Sequence, residues 1–339
     1  MPDDEFAREY SKRLGVLTGG QLQAALTRFG LGELRAAGPA PGGLFGQNVF
    51  LTSSDGEYVL RGAPHYDGQF ERERYFCGVI HERTEARAPW PFLIEKSPEI
   101  FGWSFALMPL LPGVHLSDRE VQRSLTGDDR LGIARAMGAY LTLIQQATWD
   151  APADYHYTRG DLAPLDVAYS DWFVARTRDW LARCRQASDA TTAADVAWVE
   201  SVIAATCPSL GAPFTPALVH TDYAEGNVVA ERTAEGWRIC GVFDLGDAYA
   251  GDGEYDLARL SCWYGRRSHD ELRAFVDAYT RAKPPRAGFE ERLSLYILAD
   301  RLIIWEYGQR NGIWFTDPKQ TLRAWAEPFV AIAGVAARV

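Results

Sequence analysis

Two short runs of alternating apolar and polar residues stand out in "LFGQNVFLTSSDGEYVLRG", residues 44–62. Val49 and Leu51 precede "SSDG", and Tyr58–Leu60 follow it. Asp-Gly between alternating segments predicts a β-hairpin. Upstream, residues 4–36 read as one or two helices that end at the breaker cluster "AAGPAPGG". Downstream, "GQFERERYFCGVIHER" carries Phe70, Tyr75, Phe76, Val79 and Ile80 near helical spacing. "SFALMPLLPG" reads as a strand stopped at Pro112-Gly113.

After Gly113 the period lengthens. "DDRLGIARAMGAYLTLIQQA", "VAYSDWFVARTRDWLARC" and "TAADVAWVESVIAAT" are amphipathic helices, and "APADYHYTRGDLAPLD" reads as a loop. Next come "LVHTDYAEGNVV" and "WRICGVFDLGDAYAGDGEYDLARL", with three short apolar strands ("ALV", "NVVA" and "GVFDLG", the last ending at Asp244), and then helices to the end. The expected class is α+β: a small β-rich N-lobe, a short hinge and a larger, mainly helical C-lobe, divided at 1–108, 109–113 and 114–339. Ligand sites favour such inter-lobe clefts.

Composition narrows this picture. The chain has 339 residues, 47% hydrophobic and 24% charged, enough for two ordinary cores. No apolar run approaches the roughly 20 residues that span a bilayer, and the charged N-terminus lacks a signal-peptide core. We therefore expect a cytoplasmic protein with no membrane partner. Five scattered cysteines without C-x-x-C spacing argue against a disulfide framework or a zinc site. A formal net charge of −10 disfavours nucleic acid, because phosphate backbones reward basic surfaces.

The candidate chemistry lies in His220-x-Asp222-x-x-x-x-Asn227 together with Asp244. Asp222, Glu225 and Gly226 are also ordinary turn formers, so a plain strand–turn–strand is one reading. Phosphoryl transfer to a hydroxyl is the other. It needs a carboxylate at the nucleophile's proton and hard oxygen ligands for Mg²⁺ on the nucleotide phosphates. Asp222 suits the first role, Asn227 and Asp244 the second.

"VHTDYAEGNVV" followed by "GVFDLGDAYAGDGEYDLARL" resembles the aminoglycoside phosphotransferase (antibiotic kinase) family, whose fold is protein-kinase-like. The resemblance extends from about Gly42 onward and is tightest in the C-terminal half. It implies that Asp222 is the catalytic base, that Asn227 and Asp244 bind Mg²⁺, and that His220 braces the loop. It also implies ATP or GTP as phosphoryl donor, bound by the N-lobe. "YVLRG" resembles the strand whose basic residue meets the α/β-phosphates, here Arg61, where protein kinases carry lysine. Its acidic partner is expected at Glu73 rather than Glu71, because Tyr75-Phe76 follows as the family's apolar pair does. "GGLFGQN" sits where the phosphate-covering loop belongs, although its glycines do not make G-x-G-x-x-G. "FALMPLLPG" resembles the hinge, with Met108 behind the base and the Pro109 carbonyl and Leu111 N–H at its edge.

The family phosphorylates small-molecule hydroxyls, and the acceptor here is expected to be an antibiotic. Asp247, Asp300, Trp305 and Glu306 are candidate acceptor contacts: carboxylates suit ammonium groups, and aromatic faces suit sugars or nucleobases. Asp256 is expected to brace the loop. "FDLGDAYAGDGEY" and "WFTDP" look closest to hygromycin B kinases. A nucleoside antibiotic of the capuramycin type, choline or a sugar are alternative acceptors. The alternative outside the enzymes is a catalytically silent nucleotide-binding module.

Overall fold

The structure, a computed structural model, describes residues 6–40, 46–317 and 319–338. It divides into two compact units. The first holds residues 1–125, 155–161 and 225–248, and the second holds 126–154, 162–224 and 249–339. The first is β-rich and the second mainly helical.

A five-stranded antiparallel sheet organises the first unit, in the order Leu34–Pro39, Asn48–Ser53, Glu57–Gly62, Phe105–Pro109, Leu93–Glu95. Side chains alternate between the faces of a strand, so each strand contributes to two surfaces. Val49, Leu51, Leu60, Phe105 and Leu107 point to one face and pack with Tyr10, Leu14, Leu17, Leu22 and Leu26. Their neighbours of opposite parity (Asn48, Phe50, Val59, Arg61 and Met108) line a pocket instead. The Gln69–Arg83 helix is tied to this sheet by an ion pair between Arg61 and Glu73. A three-stranded sheet follows, with Val228–Thr233 between Gly236–Val242 and Val114–His115.

Several stretches correct the expectation from the sequence. Residues 8–17, expected to be helical, form the strands Arg8–Ser11 and Gly15–Leu17, helix is confined to Gly19–Arg28, and residues 34–36 open the strand Leu34–Pro39. Gly15, at φ +71°, reverses the chain in a conformation helices do not use. Thr18 then starts the helix with a capping box closed by Gln21. The second stretch, 151–166, contains the short strands Ala153–His156 and Asp161–Pro164 rather than loop alone. Ala153 is drawn into pairing by Ala250, a partner far away in sequence. The strand expected to end at Asp244 ends at Val242.

In the second unit the Phe289–Asn311 helix is central, packing on the helices Tyr169–Ala187, Ala193–Leu210 and Leu322–Val330. The helices Gly127–Ile144 and His269–Ala282 pack so closely that a Cβ at Gly138 would collide with the backbone carbonyl of Phe275. Gly138→Ala should therefore destabilise the protein by roughly 1–3 kcal/mol despite alanine's better helix propensity. Thermal denaturation checks this, and an unchanged or raised Tm would contradict the close approach.

Candidate active site

The catalytic-loop candidates are set by backbone first. The strand Ala217–Val219 pairs with Tyr249–Gly251 and delivers the chain to a fully buried His220. Thr221 follows at φ +74°, where β-branched residues are strained. Asp256 holds this turn: its carboxylate accepts from the N–H of His220 and of Thr221, both at 2.8 Å. The Asp222 N–H donates to His220 Nδ1 at 3.3 Å. His220 and Asp256 thus brace the loop. Burial pushes the Asp256 carboxyl up to about 6, against the pull of His220 and the two backbone donors.

Asp222 itself is half-buried, and its Oδ1 forms an ion pair with Nη1 of Arg259. Arg259 was not apparent from the sequence. It lies in "DLARL", one turn after Asp256, where nothing local marks it out from a helix-surface arginine.

In the first unit, Arg61, Glu73 and Asp244 form one cluster. Arg61 Nη1 lies 3.2 Å from Glu73 Oε1, and Nη2 lies 2.7 Å from Asp244 Oδ1. Glu71 is engaged elsewhere, 2.6 Å from Lys96. Burial pushes the Glu73 carboxyl up to about 7, Arg61 opposing this and Asp244 adding to it. Asp244 sits past the end of its strand at φ +69°, a left-handed conformation that aspartate tolerates better than most residues. The segment after it is clamped from two directions. Tyr66 donates its hydroxyl to the Gly246 carbonyl at 3.0 Å, and Arg72 donates to the carbonyls of Asp247 and Ala248.

Asn227 and Asp244 line the same pocket as Arg61 and Glu73. Phe50, Val59, Met108, Val229 and Phe243 form its apolar walls, with His115 stacked on Phe50 and edge-on to Phe243. Pro109, Leu110 and Leu111 rim it, and the Leu110 N–H is spent on the Glu57 carbonyl. The stretch 42–45 of "GGLFGQN" lies outside the described residues.

The four acceptor candidates fare differently. Asp300 is 1% exposed and held between Arg259 and Arg301. Trp305 is fully buried, its indole N–H on Thr191, and belongs to the helical core. Glu306 is largely buried and pairs with Arg310 at 2.7 Å. Asp247 is exposed. Burial of the first three follows from packing against elements distant in sequence, which spacing does not reveal, whereas the Glu306–Arg310 pair is local to its helix.

A pocket with apolar walls, a strand-edge rim and a charged end in the first unit, and in the second unit a braced loop that presents an aspartate, are the equipment of a kinase-like phosphotransferase. The sequence model of the phosphotransferase enzyme family matches residues 37–289, and the chain belongs to that family. No curated protein sequence matches it. Among solved structures, aminoglycoside phosphotransferase APH(4)-Ia is similar over 94% of this chain and 99% of its own, at 19% identity and a TM-score of 0.66. A thermostable mutant of that enzyme forms a ternary complex with ADP and hygromycin B. A Thermobifida fusca YX-ER1 protein assigned as a fructosamine-3-kinase is similar over 94% of this chain and 99% of its own, at 20% identity and a TM-score of 0.61. These likenesses establish the kinase-like fold, and the family establishes a small-molecule phosphotransferase. No helix among the described residues is long and apolar enough to cross a membrane.

Proposed function

We propose that the protein moves the γ-phosphate of ATP or GTP, with Mg²⁺, to a hydroxyl of a small-molecule antibiotic and thereby inactivates it. The observation that carries this reading is the Arg61–Glu73–Asp244 cluster at the charged end of an otherwise apolar pocket. Two carboxylates against one guanidinium leave the cluster acidic. Buried Glu73 Oε2 and Asn48 Oδ1 lack hydrogen-bond partners among the described residues, and so does the donor Arg61 Nε. Such a set suits a cation together with an anionic phosphate chain.

Asp244 and Asn227 would hold Mg²⁺, which supplies charge neutralisation at the phosphates. No group of three or more His, Cys, Asp or Glu that could hold a metal occurs among the described residues, in keeping with an ion that takes much of its coordination from nucleotide and water. Arg61, oriented by Glu73, binds phosphate oxygens. Met108 and the apolar walls take the base, and the backbone of residues 109–113 serves as the hinge that reads its edge. The 1–108 segment would then carry most of the nucleotide site and 114–339 the catalytic loop and the acceptor site. Asp222 accepts the proton of the acceptor hydroxyl as that oxygen attacks the γ-phosphorus. The bond to the bridging β-phosphate oxygen breaks, and nucleoside diphosphate leaves.

Hygromycin B in the APH(4)-Ia complex supports an aminoglycoside acceptor, and the fructosamine-3-kinase neighbour supports a sugar-derived one. Of the four acceptor candidates, exposed Asp247 is the one retained as a contact. Incubation with Mg²⁺, ATP or GTP and a panel of hygromycin B, kanamycin, nucleoside antibiotics, choline and sugars tests the reading. The expected result is a mass gain of one phosphoryl group on an antibiotic. Exclusive transfer to choline or a plain sugar would move the protein to metabolism, and nucleotide binding without any transfer would leave a silent module.

A further inference from the structure

The turn at Thr221 and its Asp256 brace act on the backbone of the loop and not on the Asp222 side chain. That side chain is 43% exposed, and an aspartate so exposed ordinarily samples several staggered rotamers. An ordinary surface ion pair restrains such a group little, because both partners must be ordered to form it.

The partner here is not an ordinary surface arginine. Arg259 stands in the first turn of the Leu257–Arg267 helix, and its Nε and Nη2 both donate to Oδ1 of Asp300, at 2.9 and 2.8 Å. Asp300 belongs to the Phe289–Asn311 helix and is fully enclosed. Its second oxygen accepts from Nε of Arg301 at 3.1 Å. The Arg301 guanidinium lies over the rings of Phe329 and Trp325, with 4.8 and 5.6 Å to their centroids. Burial alone would push the Asp300 carboxyl up, yet the two guanidinium groups outweigh it and hold it below the usual range. Arg259 is therefore immobilised from behind before it meets Asp222, and little further ordering is lost when the pair forms. Neutralising Asp300 does not by itself require Arg259, since Arg301 is already there. The distinctive feature is the split of one planar fork between a buried anchor and the loop aspartate, a geometry that a lysine point charge does not reproduce.

We propose that Arg259, anchored by Asp300, is a positioning residue that fixes the Asp222 carboxylate in the orientation needed to accept the acceptor's proton. This rests on the reading of Asp222 as the base. It makes the Asp300–Arg259–Asp222 relay, not the loop alone, the element that sets turnover.

The test compares Arg259→Ala, Arg259→Lys, Asp300→Asn and Asp222→Ala in the full chain. Transfer to whichever acceptor the panel identifies is measured, with basal hydrolysis of ATP and GTP beside it. Arg259→Ala should lower kcat roughly ten- to hundredfold while the KM for nucleotide stays close to wild type. Added guanidinium should restore part of the loss, Arg259→Lys should fall between, and Asp300→Asn should follow Arg259→Ala. Combined with Asp222→Ala, the Arg259 substitution should add no further loss, because the two act as one unit. Should Arg259→Ala not fold, Arg259→Lys carries the test: a folded lysine variant with wild-type kcat overturns the proposal. An inactive Asp222→Ala beside a fully active Arg259→Ala overturns the positioning role alone. An Asp222→Ala enzyme with normal turnover, or a wild type that neither transfers nor hydrolyses, overturns the reading of the base as well.

Discussion

Replacement of Asp222 by asparagine should reduce turnover by roughly 10²- to 10⁴-fold and leave nucleotide affinity little changed. The asymmetry follows from where the groups lie. Asp222 belongs to the second unit, in a loop held by His220 and Asp256 and paired with Arg259. The groups assigned to nucleotide are all in the first unit: Arg61, Glu73, Met108, Pro109, Leu111, Asn227 and Asp244. Asparagine keeps the volume of aspartate but has neither the negative charge nor the basicity to take up a proton. Calorimetric titration with nucleotide, run beside a transfer assay, separates the two quantities. A substantial loss of nucleotide affinity, or unimpaired turnover, would remove Asp222 from the role of base.

The second large effect is expected at Asp244. Asp244→Ala should weaken Mg²⁺-dependent nucleotide binding by roughly a hundredfold, the upper end of what even outer-shell partners of a metal cost when lost. Two losses combine. One is a hard oxygen ligand that alanine cannot replace. The other is the 2.7 Å ion pair with Arg61, a side chain only 8% exposed that would keep Glu73 as its remaining carboxylate partner. Titrating nucleotide with and without Mg²⁺ gives the diagnostic pattern, since the wild type should gain affinity from the metal and the variant should gain little. An Asp244→Ala protein with an undiminished Mg²⁺ response would take Asp244 out of the metal site. The left-handed backbone at this position adds a further cost for alanine, visible as a lower Tm without ligand.

What could be read from the sequence was chemistry confined to one segment. The loop motif lies in one contiguous segment, so Asp222 and Asn227 stand out as candidates without coordinates. The hairpin at Asp55-Gly56 was equally legible, because its turn chemistry is local. Glu73 was harder, since "ERER" offers two acids on one helix, and only the positions of Lys96 and Arg61 separate them. Residues 8–17 misled because the apolar residues buried by a hairpin overlapped a helical period until Gly15 broke it. Arg259 and Arg72 were invisible for a different reason. Each is defined by carboxylates or carbonyls tens to hundreds of residues away, and their immediate neighbours are those of a solvated helix face.

The alternation in the first unit's sheet bears on how this protein tolerates changes of length. Asn48, Phe50, Val59 and Arg61 face the pocket only because Val49, Leu51 and Leu60 face the N-terminal core. Inserting or deleting one residue inside either strand would invert this assignment beyond the change, sending apolar core residues to the pocket and Arg61 toward Leu22 and Leu26. Substitutions at the pocket positions leave that pairing intact. Diversification of this pocket is therefore confined to residue identity, while variation in length is channelled into the turn at Ser54–Gly56 and other connections outside the strands.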